Sequence, residues 1–296
     1  MKKILSSFYL KLIAIISMTF DHLGKTLLLF YPRNEIIQFI EPIFSIIGRL
    51  AFPIFIFLII EGFYHTKDIK KYFIRIGSMA LLMLIGFLSI AFIPNFTGTS
   101  NLINYGNIFV DLLIVLSFLY FINSENKYFK LISLIPITYS ILFLLIQSNI
   151  ISISNGNILK LLAGFAPQYS FITPLILFMY ALLTAFRNYY FMKRIGNEVN
   201  ASNIFRIETF DSRSNIFSMI IAFLTIIMTI LTFASGLNLN TNFVINTYFI
   251  FAIIPIMLYN GNIGYTNKII KSAFYLYYPL SLCIIYLIVY LTTIIW

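Results

Sequence analysis

The chain has 296 residues, 60% of them hydrophobic and only 10% charged, with a mean hydropathy of +0.93. These values exclude a soluble globular domain and fit a polytopic membrane protein. The net charge of +10 is spread over short loops between apolar runs, so membrane topology accounts for it and no nucleic-acid partner is expected.

Continuous apolar runs of about 17 to 23 residues suit helices crossing about 30 Å of hydrocarbon, and no short segments of alternating polarity indicate a barrel. The expected fold is an all-α, polytopic transmembrane helical bundle forming one domain over residues 1–296. Crossings are predicted near 8–30, 43–63, 73–94, 107–123, 130–148, 169–186, 216–235, 243–259 and 273–295. The start looks like a signal peptide, yet its apolar run continues to Phe30 without a small-residue cleavage site, so it is expected to stay as the first helix. Residues 149–168 either lie on the surface or dip back as a half-helix, which would make a tenth element. Residues 187–214 are expected as a loop too short to fold alone.

Basic residues alternate between loops. Lys2 and Lys3 precede the first crossing, and Lys67, Lys70 and Lys71 follow the second. Lys127 and Lys130 flank the fourth loop, Arg187, Lys193, Arg194, Arg206 and Arg213 lie in the sixth, and Lys268 and Lys271 precede the last crossing. The intervening loops carry little beyond Arg33 and Lys160. The positive-inside rule then predicts a cytoplasmic N-terminus and an external Trp296 in the aromatic belt.

Asp21 and His22 fall inside the first crossing, Arg49 and Glu61 inside the second, and Asp111 inside the fourth. The four charged ones would together cost about 10 to 14 kcal/mol at mid-bilayer if unpaired. At about 1.5 Å of rise per residue, Asp21, His22, Arg49 and Asp111 reach similar depths, while Lys11 and Glu61 lie near the cytoplasmic ends of their helices. Lys11 and His22 are close to three turns apart and share a helix face, with Asp21 about 100° away. Asp21 is expected either to lock the helices by pairing with Arg49 or to take part in chemistry. Pro53 should free the carbonyl of residue 49 and bend the second helix beside it. His65, four residues after Glu61, is placed to hydrogen-bond it. Two histidines without a third His or a Cys ligand make no zinc site, and Cys283 reads as packing, so no metal is expected.

Gly48-Arg49-Leu50-Ala51-Phe52-Pro53-Ile54-Phe55, running to Glu61-Gly62-Phe63-Tyr64-His65-Thr66, resembles the signature of the TraX family, integral membrane proteins related to the acetylase of conjugative F-pilin. Leu10-Lys11-Leu12-Ile13-Ala14 with Asp21-His22 resembles the family's opening. Leu258-Tyr259-Asn260-Gly261 with Tyr277-Tyr278-Pro279-Leu280 resembles its closing pair. The family is similar in turn to the acyltransferase-three group, whose first helix carries an arginine and then an essential histidine. Here Lys11 takes the arginine's place, keeping the charge but losing the planar fork, and His22 matches the histidine. Relatives continue the closing Tyr-Pro-Leu with a histidine where this chain has Ser281.

The resemblance implies a multi-pass protein of the bacterial cytoplasmic (inner) membrane that moves acetyl from acetyl-CoA to a peptide, glycan or small-molecule acceptor. His22 would be the general base, oriented by Asp21 or Asp111, and Arg49 would stabilise the oxyanion. Lys11, Glu61 and His65 would line the substrate path. Lys67, Lys70, Lys71 and Arg75, with the backbone N–H groups of Tyr259, Asn260, Gly261 and Gly264, would meet the donor's phosphates. Topology alone also explains those basic residues. The rival expectation is a transporter or flippase that uses the same intramembrane groups as a proton or substrate relay.

Overall fold

The computed structural model describes residues 3–91, 106–153, 158, 162–195, 213–234 and 244–295. Lys2, Lys160, Arg206, Trp296 and the loops around Asn101 and Asn200 lie outside the described residues. The chain is all-α, without strands among those residues, and divides into two compact units, 1–58 with 182–296 and 59–181.

Among the described residues, six helical stretches are long and apolar enough to cross a membrane: Ser7–Phe30, Glu35–His65, Ile69–Ser89, Lys127–Gln147, Arg213–Ala234 and Ile269–Thr292. Three shorter apolar segments, Ile108–Ile122, Ile172–Phe186 and Asn246–Met257, fall where the other crossings are expected. The protein is a multi-pass membrane protein.

In the first unit, α1 (Ser7–Phe30) packs against α2 (Glu35–Gly48) and against the last helix, α11 (Lys268–Ile295). Lipid tails are as apolar as Leu, so helices associate in a bilayer through close packing and polar contacts rather than hydrophobic burial. The α1–α2 seam is built that way. A Cβ on Gly24 would meet Phe44 Cβ at 3.0 Å, and one on Gly48 would meet Asp21 Cβ at 2.3 Å. Ser17, one turn before Asp21, donates its hydroxyl to the Ile47 carbonyl. α2 begins eight residues before the predicted start at 43, because the Asn34 side chain accepts from the Ile36 and Ile37 N–H groups and caps the helix.

The second crossing is not one bent helix. It breaks at Arg49-Leu50, whose N–H groups bond three residues back to Ile46 and Ile47, and resumes as α3 (Ala51–His65). Pro53 therefore sits in the first turn of α3, where a missing N–H costs little. α9 (Arg213–Ala234) packs against a 3-10 segment, Asn246–Ala252, and the α10 turn that follows it, Ile253–Met257. Residues 4–8 dock along 258–263: Ile4 and Leu5 N–H bond Leu258 O, Asn260 N–H bonds Leu5 O, and Ser7 and Phe8 N–H bond Asn262 and Ile263 O.

The second unit holds α4 (Ile69–Ala91), α5 (Ile108–Ile122), α6 (Lys127–Ile132) and α7 (Leu134–Gln147), with α5 packed against the other three. Asn107 is fully buried. Its amide donates to Ala80 O and Gly164 O while its oxygen caps Phe109 N–H, so one side chain ties together three segments. Gly106, at φ +57°, passes 2.4 Å from Gln168 Cα by the measure of an added Cβ, a place for glycine alone. Of the 149–168 stretch, Ala163 and Ala166 are fully buried against Phe143 and Ile146, whereas Ile150, Ile151 and Ile158 are exposed, so its described parts lie partly inward and partly on the surface. The next helix, α8 (Ile172–Ile195), continues nine residues past the predicted end at 186, so the start of the expected 187–214 loop is helix. Arg187, Lys193 and Arg194 extend an apolar helix with good helix formers.

Candidate functional site

Asp21, Arg49 and Lys25 form one buried ionic cluster in the first unit. Asp21 is 6% exposed and Arg49 4%. Arg49 Nη2 donates to Asp21 Oδ1 at 3.0 Å, and Lys25 Nζ donates to Asp21 Oδ2 at 2.6 Å, so each carboxylate oxygen has its own cation. Arg49 also donates through Nε to Ser45 O at 3.2 Å and through Nη1 to Asn246 Oδ1 at 2.8 Å. It thereby ties α1, the end of α2 and the 3-10 segment together. The helix break makes this possible: Arg49 caps α2 just after Gly48, whose missing side chain lets Asp21 come in. Glu41, which accepts from Ser45 Oγ at 2.7 Å, is the next carboxylate within electrostatic reach of Lys25.

His22 turns toward α11, where its ring meets Tyr278 edge-on with centroids 5.4 Å apart. Its Nε2 is buried and has no hydrogen-bond partner among the described residues. Thr19 Oγ1 and Tyr277 OH lie 2.8 Å apart along the same seam, and Lys11 Nζ stands 5.6 Å from the centre of the Phe274 ring. Lys11 and His22 thus share the α1 face that meets α11, as their spacing predicts, and the opening and closing motifs meet there. A groove of about 840 Å³ opens at Thr19 and Tyr277, lined also by Ser272, Leu276, Leu280 and Ser281 among others, and neither Lys11 nor His22 lines it.

Asp111 has its own partners in the second unit. Fully buried, it accepts from Gln168 N–H at 2.7 Å, from Tyr169 N–H and from Thr173 Oγ1 at 2.6 Å, and so closes the turn that leads into α8. Glu61, 5% exposed, meets His65 Nε2 at 3.3 Å, the expected pair. At the turn between α3 and α4, Lys67, Lys70, Lys71 and Arg75 are exposed. Asp68 caps α4, and the Lys71 N–H holds its carboxyl below the ordinary range. A cavity of about 550 Å³ there is lined by Lys67, Thr66, Phe63, Tyr120, Asn123 and Phe129, among others. The Tyr259 and Asn260 N–H groups, expected to be free for phosphate, bond Ile256 O and Leu5 O instead. Gly261, at φ +81°, faces open space, whereas Gly264, at φ +76°, is wedged against Ser6.

Lys25 and Asn246 escape the reading from sequence. Lys25 has a clear signal in retrospect, four residues after Asp21 on one helix. Asn246 has none, being 197 residues from Arg49.

A 75-residue stretch is 39% identical to the "Probable fimbrial assembly protein FimC, serogroup H1" of Dichelobacter nodosus, covering 24% of this chain and 27% of that protein. The chain therefore spans about a quarter of the length of the curated relative it matches. No solved structure matches the chain. Residues 6–201 match the model of the TraX protein family, a span that takes in Asp21, His22, Arg49 and Asp111 and covers well over half of the sequence, so this chain belongs to the TraX family.

Proposed function

We propose that this chain is a membrane-embedded acyltransferase that moves acetyl from acetyl-CoA to an amine or hydroxyl of a membrane or extracytoplasmic acceptor. Membership of a family associated with pilin acetylation supports the reaction type. The fimbrial-assembly name of the Dichelobacter nodosus relative favours a pilin-like peptide over a glycan or small molecule as acceptor.

The observation that carries the proposal is the buried, unpartnered Nε2 of His22 beside the Asp21–Lys25–Arg49 cluster. A packing histidine would bond through that nitrogen, since an unmade buried hydrogen bond costs about 1 to 3 kcal/mol. A transient partner supplies the bond instead. With its proton on Nδ1, His22 offers a lone pair at Nε2 to the acceptor's N–H or O–H. As the acceptor attacks the thioester carbonyl, Nε2 takes its proton. A fixed cation of the cluster stabilises the oxyanion, the C–S bond breaks, and the imidazolium returns the proton to the leaving thiolate. Lys67, Lys70, Lys71 and Arg75 meet the donor's phosphates, and Lys11, Glu61 and His65 belong to the substrate path. We assign Asp111 to the turn it closes rather than to the chemistry.

The alternation of basic loops supports a cytoplasmic N-terminus in a bacterial inner-membrane protein. A cysteine at Asn101 should then react with an impermeant thiol reagent from outside and one at Asn200 should not, in a Cys283→Ser background. The activity itself is tested by free-thiol release from acetyl-CoA with purified protein. Release that His22→Gln abolishes is the expected result; a transporter or flippase would release none.

A further inference from the structure

We propose that Lys25 is the group that stabilises the oxyanion, with Arg49 serving to hold the cluster together. The inference rests on the acyl-transfer reaction proposed above and changes which cation performs it.

Arg49 is buried and committed to three elements through Ser45, Asn246 and Asp21. Moving it to follow a reacting carbonyl would break contacts on all of them. Lys25 differs in each respect. Among the described residues its ammonium bonds Asp21 alone, its side chain is 35% exposed, and it keeps two further N–H donors. It also stands on the right helix. Viewed down α1, Lys25 falls between Asp21 and His22, about 40° from the first and 60° from the second, and one turn beyond both. Residues three apart on a helix are neighbours, so Lys25 and His22 adjoin along α1, the ammonium turned to Asp21 and the imidazole to Tyr278.

The steps balance with these two groups. The acceptor's heteroatom bonds the thioester carbon while Nε2 of His22 takes its proton. The carbonyl π electrons move onto oxygen, which accepts a hydrogen bond from a free N–H of Lys25. Collapse of the intermediate sends the C–S electron pair to sulfur, and the imidazolium proton follows it. Lys25 keeps all its protons, and Asp21 fixes the ammonium throughout.

Lys25→Met tests this in purified protein, with thiol release read against acetyl-CoA concentration. The expected result is a kcat about 100- to 1,000-fold lower with KM nearly unchanged, since one oxyanion donor is worth that much. The double variant Asp21→Asn/Lys25→Met should be equally slow. A kcat within about threefold of the parent in either variant would mean that Lys25 only neutralises Asp21, and would overturn the proposal. Should neither variant fold, Lys25→Arg keeps the ion pair but moves the charge. A tenfold or greater fall in kcat supports an oxyanion role and an unchanged kcat contradicts it. If the parent protein releases no thiol, acyl transfer itself fails. Release that His22→Gln abolishes and Lys25→Met spares leaves acyl transfer standing and removes only Lys25.

Discussion

Two buried aspartates, one in each unit, are held by different kinds of partner. Asp21 is held by charge, with one oxygen on Arg49 and the other on Lys25. Asp111 is held by neutral donors, two backbone N–H groups and a hydroxyl from a single short stretch, 168–173. A carboxylate caged by N–H groups closes a turn and has little reason to do more. A carboxylate flanked by two cations, next to an imidazole with an unused nitrogen, organises a field that a reacting group can use. Burial marks both residues equally; the chemistry of the partners separates them.

The largest expected effect tests the charged side of this contrast. Asp21→Ala leaves the buried Arg49 without its anion and should cost about 3 to 5 kcal/mol, seen as loss of folded protein in a denaturation series. Asp21→Asn should be milder, because the amide oxygen still accepts a hydrogen bond. Asp111→Ala strands the Gln168 and Tyr169 N–H groups and should cost about 2 to 3 kcal/mol by the same measurement. Comparable losses for Asp21→Asn and Asp21→Ala would show that formal charge matters more at this site than hydrogen bonding. Gly48→Ala should cost about 1 to 3 kcal/mol, because the new Cβ overlaps Asp21 and must push α1 from α2. If Gly48→Ala unfolds at the parent's midpoint, the tight approach at the seam is not required.

Much of this was legible in the sequence. Apolar run length located the nine segments, since the bilayer fixes how long a crossing must be. The Asp21–Arg49 pair followed from the need to compensate charge at membrane depth. Helical spacing put Lys11 and His22 on one face. Legibility failed where partners come from far away in sequence. Nothing near Asp111 announces that residues 168–173 will cage it. Pro53 suggested a bend, but a proline fits a helix start as readily as a kink, and only the i→i+3 bonds at Arg49-Leu50 distinguish the two.

The central claim is that the unused nitrogen of His22 does the chemistry while Asp111 holds a turn. Free-thiol release from acetyl-CoA by His22→Gln and Asp111→Asn, compared at equal amounts of folded protein, tests it most directly. His22→Gln should fall by about 100-fold or more, the usual contribution of a positioned general base, with stability nearly unchanged. Asp111→Asn should keep kcat within about threefold of the parent, because an amide oxygen can still accept from the Gln168 N–H. An active His22→Gln, or an Asp111→Asn that folds yet releases no thiol, would contradict the account.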